Sequence, residues 1–126
     1  VLILHGLVSY SVILKLLSGL NPNIFLRKMR DAALFGFSTS SSNATMPVTM
    51  EAVTKKLGVK NSIASFTVPL GATINMDGTS LYQAVAAVFI AQAYGMDLDL
   101  MTQIGIVLTA TLASIGAAAV PGAGSL

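Results

Sequence analysis

The chain has no cysteine, and only 10% of its 126 residues are charged. Without thiols there is no disulfide framework and no thiolate metal site, and redox chemistry gives no clue to compartment. The shortage of charge excludes an ordinary soluble surface, which carries about 25% charged residues. A soluble chain of this size buries only about two-thirds of its surface, and this one has little charge with which to wet the rest. What is present is apolar: 54% of residues are hydrophobic, in long weakly charged stretches that point to a membrane. An isoelectric point near 9.2 would suit nucleic acid. The basic residues, however, flank apolar segments instead of covering a soluble face, so no nucleic-acid partner is expected.

The first residues lie within an apolar run, VLILHGLVSYSVILKLL, and the last follow another. No basic region precedes the first run and no small-residue cleavage pattern follows it, which disfavours a signal peptide. The chain reads as a piece of a larger protein. Residues 1–20 are long enough to span about 30 Å of hydrocarbon as a helix. Lys15 snorkels near its end, and Asn21-Pro22 breaks it. Residues 24–60 run from Arg27, Lys28 and Arg30 through a short apolar stretch to the polar FSTSSSNATMP, and on to Lys55, Lys56 and Lys60. Basic flanks on both sides place both ends in the cytoplasm. The excursion between them is a re-entrant hairpin, whose polar tip needs cover from protein or a water-filled cavity.

Residues 61–95 form a second long apolar stretch, interrupted at Gly71–Gly78 by the chain's only charge between Lys60 and Asp97. Unwound backbone is expected from Gly71 to Asn75. Asp97 and Asp99, with no basic neighbour, mark an external loop. Residues 100–126 begin apolar and rich in small residues, which permit close backbone approach. They then reach the chain breaker Val120-Pro121-Gly122-Ala123-Gly124, the first arm of a second hairpin. The expected fold is therefore all-α: a partial transport domain of a membrane protein, with hairpins of opposite orientation around a broken helix. That is the inverted-repeat plan of secondary transporters.

Asp77 carries the strongest chemical signal. A mid-membrane charge costs roughly 3 kcal/mol on insertion scales, and no Lys or Arg here lies at a comparable depth. A bound cation is a natural partner. Sodium, a hard ion, prefers oxygen ligands as calcium and magnesium do, which Asp77, Asn75 and freed carbonyls can supply. The competing reading makes Asp77 a structural residue bonded to a neighbouring helix. The serines at 40–42 with Asn43 suit either a carboxylate site at a helix N-terminus or a flexible polar turn. The glycines near Pro121 suit close backbone approach to a ligand, or simply a loop; neither a P-loop nor a complete GxGxxG pattern is present. His5 reads as a packed or interfacial residue and the methionines as gap-filling core. Gln83, one turn past Thr79, is neutral and cannot carry a proton.

Taken in order, SSSNATMPVTM, PLGATINMDGTSLYQ and ASIGAAAVPGAG resemble the dicarboxylate/amino-acid:cation symporters, which include the excitatory amino-acid transporters and the archaeal sodium–aspartate symporters. The resemblance covers nearly the whole chain, with NMDGT the most telling motif. It implies a sixth transmembrane helix, a first hairpin, a seventh helix and the start of a second hairpin. These would sit in a transport domain moving as an elevator against a trimeric scaffold.

The same resemblance implies that Ser41, Ser42 and Thr79 contact the substrate, and that Val120, Pro121 and Gly124 close over it. Asn75 and Asp77 correspond to side-chain ligands of one sodium site, and Gly71 and Asn75 to carbonyl ligands of a second. Thr73, Ser114, Ile115 and Ala117 correspond to carbonyl ligands of a third. Ala117 stands for a threonine of some members and Ala119 for a glycine, a change that stiffens the gate. Ser40 occupies a position held by arginine in archaeal members. Gln83 stands where mammalian glutamate transporters have a glutamate linked to proton and potassium coupling, so sodium coupling without that proton step is expected. Thr79 and the form ATINMDGT favour aspartate or glutamate over neutral amino acids or C4-dicarboxylates, the alternative substrates within the family. A channel lacks its ring of filter carbonyls here, and a hydrolase lacks a second buried carboxylate. The expectation is a multi-pass sodium-coupled symporter of the cell membrane, a homotrimer at full length, and not an enzyme.

Overall fold

A computed structural model describes residues 1–117 and 119–123. Its helices are α1 (Leu2–Leu4), α2 (Tyr10–Ser18), α3 (Pro22–Thr39), α4 (Ser42–Glu51), α5 (Asn61–Ile74), α6 (Asp77–Ala93) and α7 (Leu100–Ile115). Two π-helical segments, His5–Ser9 and Ala52–Lys56, join α1 to α2 and continue α4. No strand occurs among the described residues, so the all-α expectation holds. The chain divides into two compact units, Val1–Val68 and Pro69–Leu126.

In the first unit, the opening apolar run is not one uniform helix. The segment His5–Ser9 has π geometry and sets the His5 ring against Tyr10, with centroids 5.1 Å apart at 57°. The run stops at Ser18 because Gly19 turns left-handed (φ 67°) and returns its amide to the Lys15 carbonyl at 3.1 Å. Such an αL residue satisfies a carbonyl the helix cannot, and glycine adopts it without a Cβ penalty. Asn21 then caps α3, accepting the Asn23 amide at 3.0 Å, with Pro22 at the first helical position. Proline fits there because that N–H has no helical partner in any case.

Helices α3 and α4 form a hairpin with a two-residue turn at Ser40 and Ser41. Its open end is tied by the ion pair of Asp31 and Lys56. Between tip and base the arms approach closely: a Cβ on Gly36 would stand 3.4 Å from Thr45 Oγ1. Ala32 and Ala52 are buried, small enough to let α3 and the Ala52–Lys56 segment meet.

The second unit begins at Pro69, inside α5. Unwinding was expected from Gly71, but α5 remains regular to Ile74, because the Asn75 amide still reaches the Gly71 carbonyl at 2.9 Å. The break is confined to Asn75 and Met76. Helix α6 then starts afresh at Asp77, with the Thr79 and Ser80 amides both donating to the Met76 carbonyl at 3.1 Å. A short connection follows, and Asp99 caps α7 by accepting the Thr102 amide at 3.1 Å. Helices α6 and α7, of 17 and 16 residues, pack side by side. The connection is short, so they run antiparallel, and the start of α6 and the end of α7 lie at the same end of the pair.

Among the described residues, no helix is both long and apolar enough to cross a membrane. The expected span over residues 1–20 is divided by its π segment and ends at Ser18. Helix α3 has 18 residues but carries Arg27, Lys28, Arg30 and Asp31, and α6 stops at 17.

Candidate ion and substrate sites

The expected site residues fall in both units. Ser41 and Ser42 belong to the first, at the hairpin tip. The tip starts with an uncommon backbone: Ser40 has φ 50°, the one positive φ among the described non-glycine residues, and its amide bonds the Gly36 carbonyl at 2.9 Å. A side chain in that region costs roughly 1–2 kcal/mol. Ser41 returns to extended backbone (φ −137°, ψ 116°) and caps α4, its Oγ accepting the Ala44 amide at 3.2 Å.

The tip is closed by hydroxyls the sequence analysis did not single out. The Ser41 amide donates to Thr39 Oγ1 at 3.3 Å, and Thr45 Oγ1 donates to the Ser41 carbonyl at 2.7 Å. The two threonine oxygens are 3.2 Å apart. Thr45 has one hydroxyl proton and gives it to Ser41, so Thr39 is the donor of that pair. The only sequence signal was a threonine on either side of the serine turn. Ser41 and Thr45 are 7% and 8% exposed, and a buried hydroxyl without a partner would cost about 1–3 kcal/mol. Ser42, by contrast, is exposed on the first turn of α4. The amides of that turn are among the four that a helix leaves to outside partners.

The other site residues lie in the second unit. Gly71 and Thr73 sit in the last turn of α5; the Gly71 carbonyl accepts the Asn75 amide, and a carbonyl oxygen has a second lone pair for an outside ligand. Thr73 Oγ1 donates to the Pro69 carbonyl at 2.9 Å. Asn75 is exposed in the break, and Asp77 is half-buried as the first residue of α6. The positive end of that helix dipole favours its carboxylate. Thr79, half-buried two residues on, has its hydroxyl 4.0 Å from Met76 Sδ.

Ser114 closes α7, 4% exposed, and its hydroxyl donates to the Thr111 carbonyl at 2.8 Å. Past it the chain tightens: the Gly116 amide reaches Ala113 at 3.2 Å and the Ala117 amide reaches Ser114 at 3.3 Å. Ile115 and Val120 are 44% and 47% exposed, Pro121 is exposed, and Ala117 is half-buried. Gly124 lies outside the described residues. The structure thus brings Asp77 and the Ser114–Ala117 turn to one end of the α6–α7 pair. Gln83 lines a groove of about 550 Å³ between α6 and α7, shared with Thr102, Thr109, Ala110 and Ala113.

What the expected site residues of the second unit offer chemically is oxygen: the Asp77 carboxylate, the Asn75 amide and the carbonyls of the last turns of α5 and α7. That set suits a hard cation better than any acid–base step. A family model described as the sodium:dicarboxylate symporter family matches residues 1–126. The chain is 47% identical over 123 residues to an excitatory amino acid transporter of Caenorhabditis elegans, covering 98% of this chain and 24% of that protein. Identity is also 47% over 123 residues, again 98% of this chain, with excitatory amino acid transporter 5 of Mus musculus and neutral amino acid transporter B(0) of Rattus norvegicus, 22% of each being covered. The chain thus spans under a quarter of the length of these three relatives. The family that matches is one of symporters, which move solutes rather than transform them. The chain belongs to the sodium:dicarboxylate symporter family.

Proposed function

We propose that this chain is the ion- and substrate-handling part of a sodium-coupled symporter for aspartate or glutamate. It works within a multi-pass membrane protein that forms a homotrimer and moves its transport domain as an elevator. The observation that carries the reading is the break at Asn75–Met76. There α5 gives way to a two-residue interruption, and α6 starts with the only carboxylate of an otherwise apolar helix pair. A carboxylate at a helix interruption is what an alkali ion needs in apolar surroundings.

In this reading Asn75 and Asp77 hold one sodium ion, and the carbonyls of Gly71 and Asn75 hold a second. Those of Thr73, Ser114, Ile115 and Ala117 hold a third, at the common end of α6 and α7. Ser42 and the first-turn amides of α4 take a substrate carboxylate, with Ser41 fixing the turn. Thr79 serves the side-chain carboxylate, and Val120, Pro121 and Gly124 cover the bound molecule. The α3–α4 hairpin is the re-entrant element. Its apolar outward side chains support a surrounding of lipid or protein: Phe37 is 88% exposed. Ions and substrate stabilise the same closed state, so each raises the affinity for the other.

The neutral amino acid transporter relative is as similar as the excitatory ones, so a neutral substrate is the second reading; Thr79 favours the acidic one. The test exchanges this segment for the matching segment of the nematode relative, in a full-length chain reconstituted in vesicles. A sodium gradient is expected to concentrate aspartate, with serine a poor competitor. Concentration of serine in place of aspartate would establish the second reading. Equilibration without concentration would overturn both.

A further inference from the structure

The tip of the α3–α4 hairpin contains a closed circuit of hydrogen bonds whose purpose the proposed transport sites do not explain. The circuit runs from the Ser41 amide to Thr39 Oγ1, from Thr39 to Thr45 Oγ1, and from Thr45 back to the Ser41 carbonyl. The alternative acceptors for Thr39, the carbonyls of Ser41 and Gly36, lie farther off at 3.4 and 3.5 Å. Each hydroxyl therefore donates once and accepts once, and both backbone groups of Ser41 are engaged. Thr39 ends α3 and Thr45 lies in the second turn of α4, so the circuit crosses between the arms. Ser40, just before Ser41, is held at a strained φ of 50°. Strain of this kind persists only where the surroundings over-determine the backbone, and the circuit is the local device that does so.

We infer that Thr39 and Thr45 are positioning residues. Their hydroxyl circuit locks the Ser40–Ser41 turn, so that Ser42 and the first-turn amides of α4 present a fixed geometry to a substrate carboxylate. The inference rests on the transport reading above. Neither threonine touches the substrate. Preorganised donors lose less freedom on binding than mobile ones, so loosening the turn weakens substrate binding and leaves the translocation step largely intact.

The full-length exchanged chain is compared with Thr39→Val, Thr45→Val, Thr45→Ser and the double valine variant, each measured for aspartate uptake at saturating sodium. Valine keeps the shape and removes the hydroxyl; serine restores it. The expected result is a rise in KM of roughly tenfold in either valine variant, with the maximal rate per folded transporter within about twofold of the parent. Thr45→Ser returns KM to the parent value. The double variant resembles the single ones, because a circuit is opened only once.

Amide exchange at Ser41, read on the same samples, is expected to quicken in both valine variants. An unchanged KM in a well-folded valine variant overturns the inference, as does a serine variant that behaves like valine or a double variant whose effects multiply. If Thr45→Val fails to fold, Thr39→Val decides the matter from the other arm. If neither valine variant folds, Thr45→Ser decides: a parental KM and parental Ser41 exchange support the circuit, and a raised KM overturns it. A parent chain that transports nothing overturns the transport reading and this inference with it. A transporting parent with unresponsive variants overturns the inference alone.

Discussion

The Asn75 amide donates to the Gly71 carbonyl at 2.9 Å, the last regular helical bond of α5 before the chain changes course. One residue later the Met76 amide reaches only to Ile74, at 3.2 Å. The interruption in the second apolar stretch is thus two residues long, and what lies on either side is regular helix. This keeps the end of α5 and the start of α6 rigid, and lets Asp77 sit at a fixed place on the positive end of a helix. Rigid elements hold a coordination geometry better than an open loop does.

Asp77→Asn keeps the shape of the side chain and removes its charge. Contacts to a charged group contribute about 1.5–3 kcal/mol, so the sodium concentration for half-maximal uptake should rise by at least about tenfold. Uptake measured against sodium in the full-length exchanged chain checks this. An unaltered sodium curve would remove Asp77 from the ion site.

Gly71 lies within α5, and a Cβ added there meets nothing within 4 Å. Gly71→Ala should therefore preserve the helix and raise its stability by about 0.5–1 kcal/mol, with the backbone carbonyl left in place. Thermal unfolding of the purified full-length chain is the measurement. Destabilisation would mean that a group outside this chain packs on that face.

Gly36 behaves differently, because its Cβ would stand 3.4 Å from Thr45 Oγ1 and 3.5 Å from Thr45 Cγ2. Alanine would just touch; valine would force the hairpin arms apart, at a cost of about 1–3 kcal/mol. The expected sign is faster amide exchange at Ser41 and Thr45 in Gly36→Val, with α6 and α7 unaffected.

The Lys56 ammonium hydrogen-bonds Asp31 and attracts it, holding that carboxyl below its usual range. A carboxylate with a lowered folded value stabilises the fold above the ordinary carboxylate pKa, and that contribution is lost as pH falls through the lowered one. Both side chains are well exposed, so the effect is small and screened by salt. Lys56→Gln should abolish this pH dependence, leaving the hairpin base as loose at neutral pH as acid makes it in the parent. Exchange at Ala52 against pH, at low and high salt, reads it out.

Local chemistry made much of this legible. Proline at 22, glycine at 19 and asparagine at 21 end one helix and begin the next through groups that act within a turn of their own position. The serine turn, the NMDGT interruption and the two aspartates before α7 were readable for the same reason. The two threonines of the tip were not. They are six residues apart, on different helices, and flanking the serine turn does not by itself say that they meet.

The sequence by itself determined an all-helical chain, its breaks, its apolar character and its family, because propensity, capping and motif are properties of short segments. Only the tertiary structure decided that the helix persists through Gly71 and Thr73, that Ser41 is buried while Ser42 is exposed, and that Thr39 and Thr45 close a circuit around the turn. Those facts depend on which atoms come within about 3 Å of one another when helices pack, a distance that spacing along the chain does not encode.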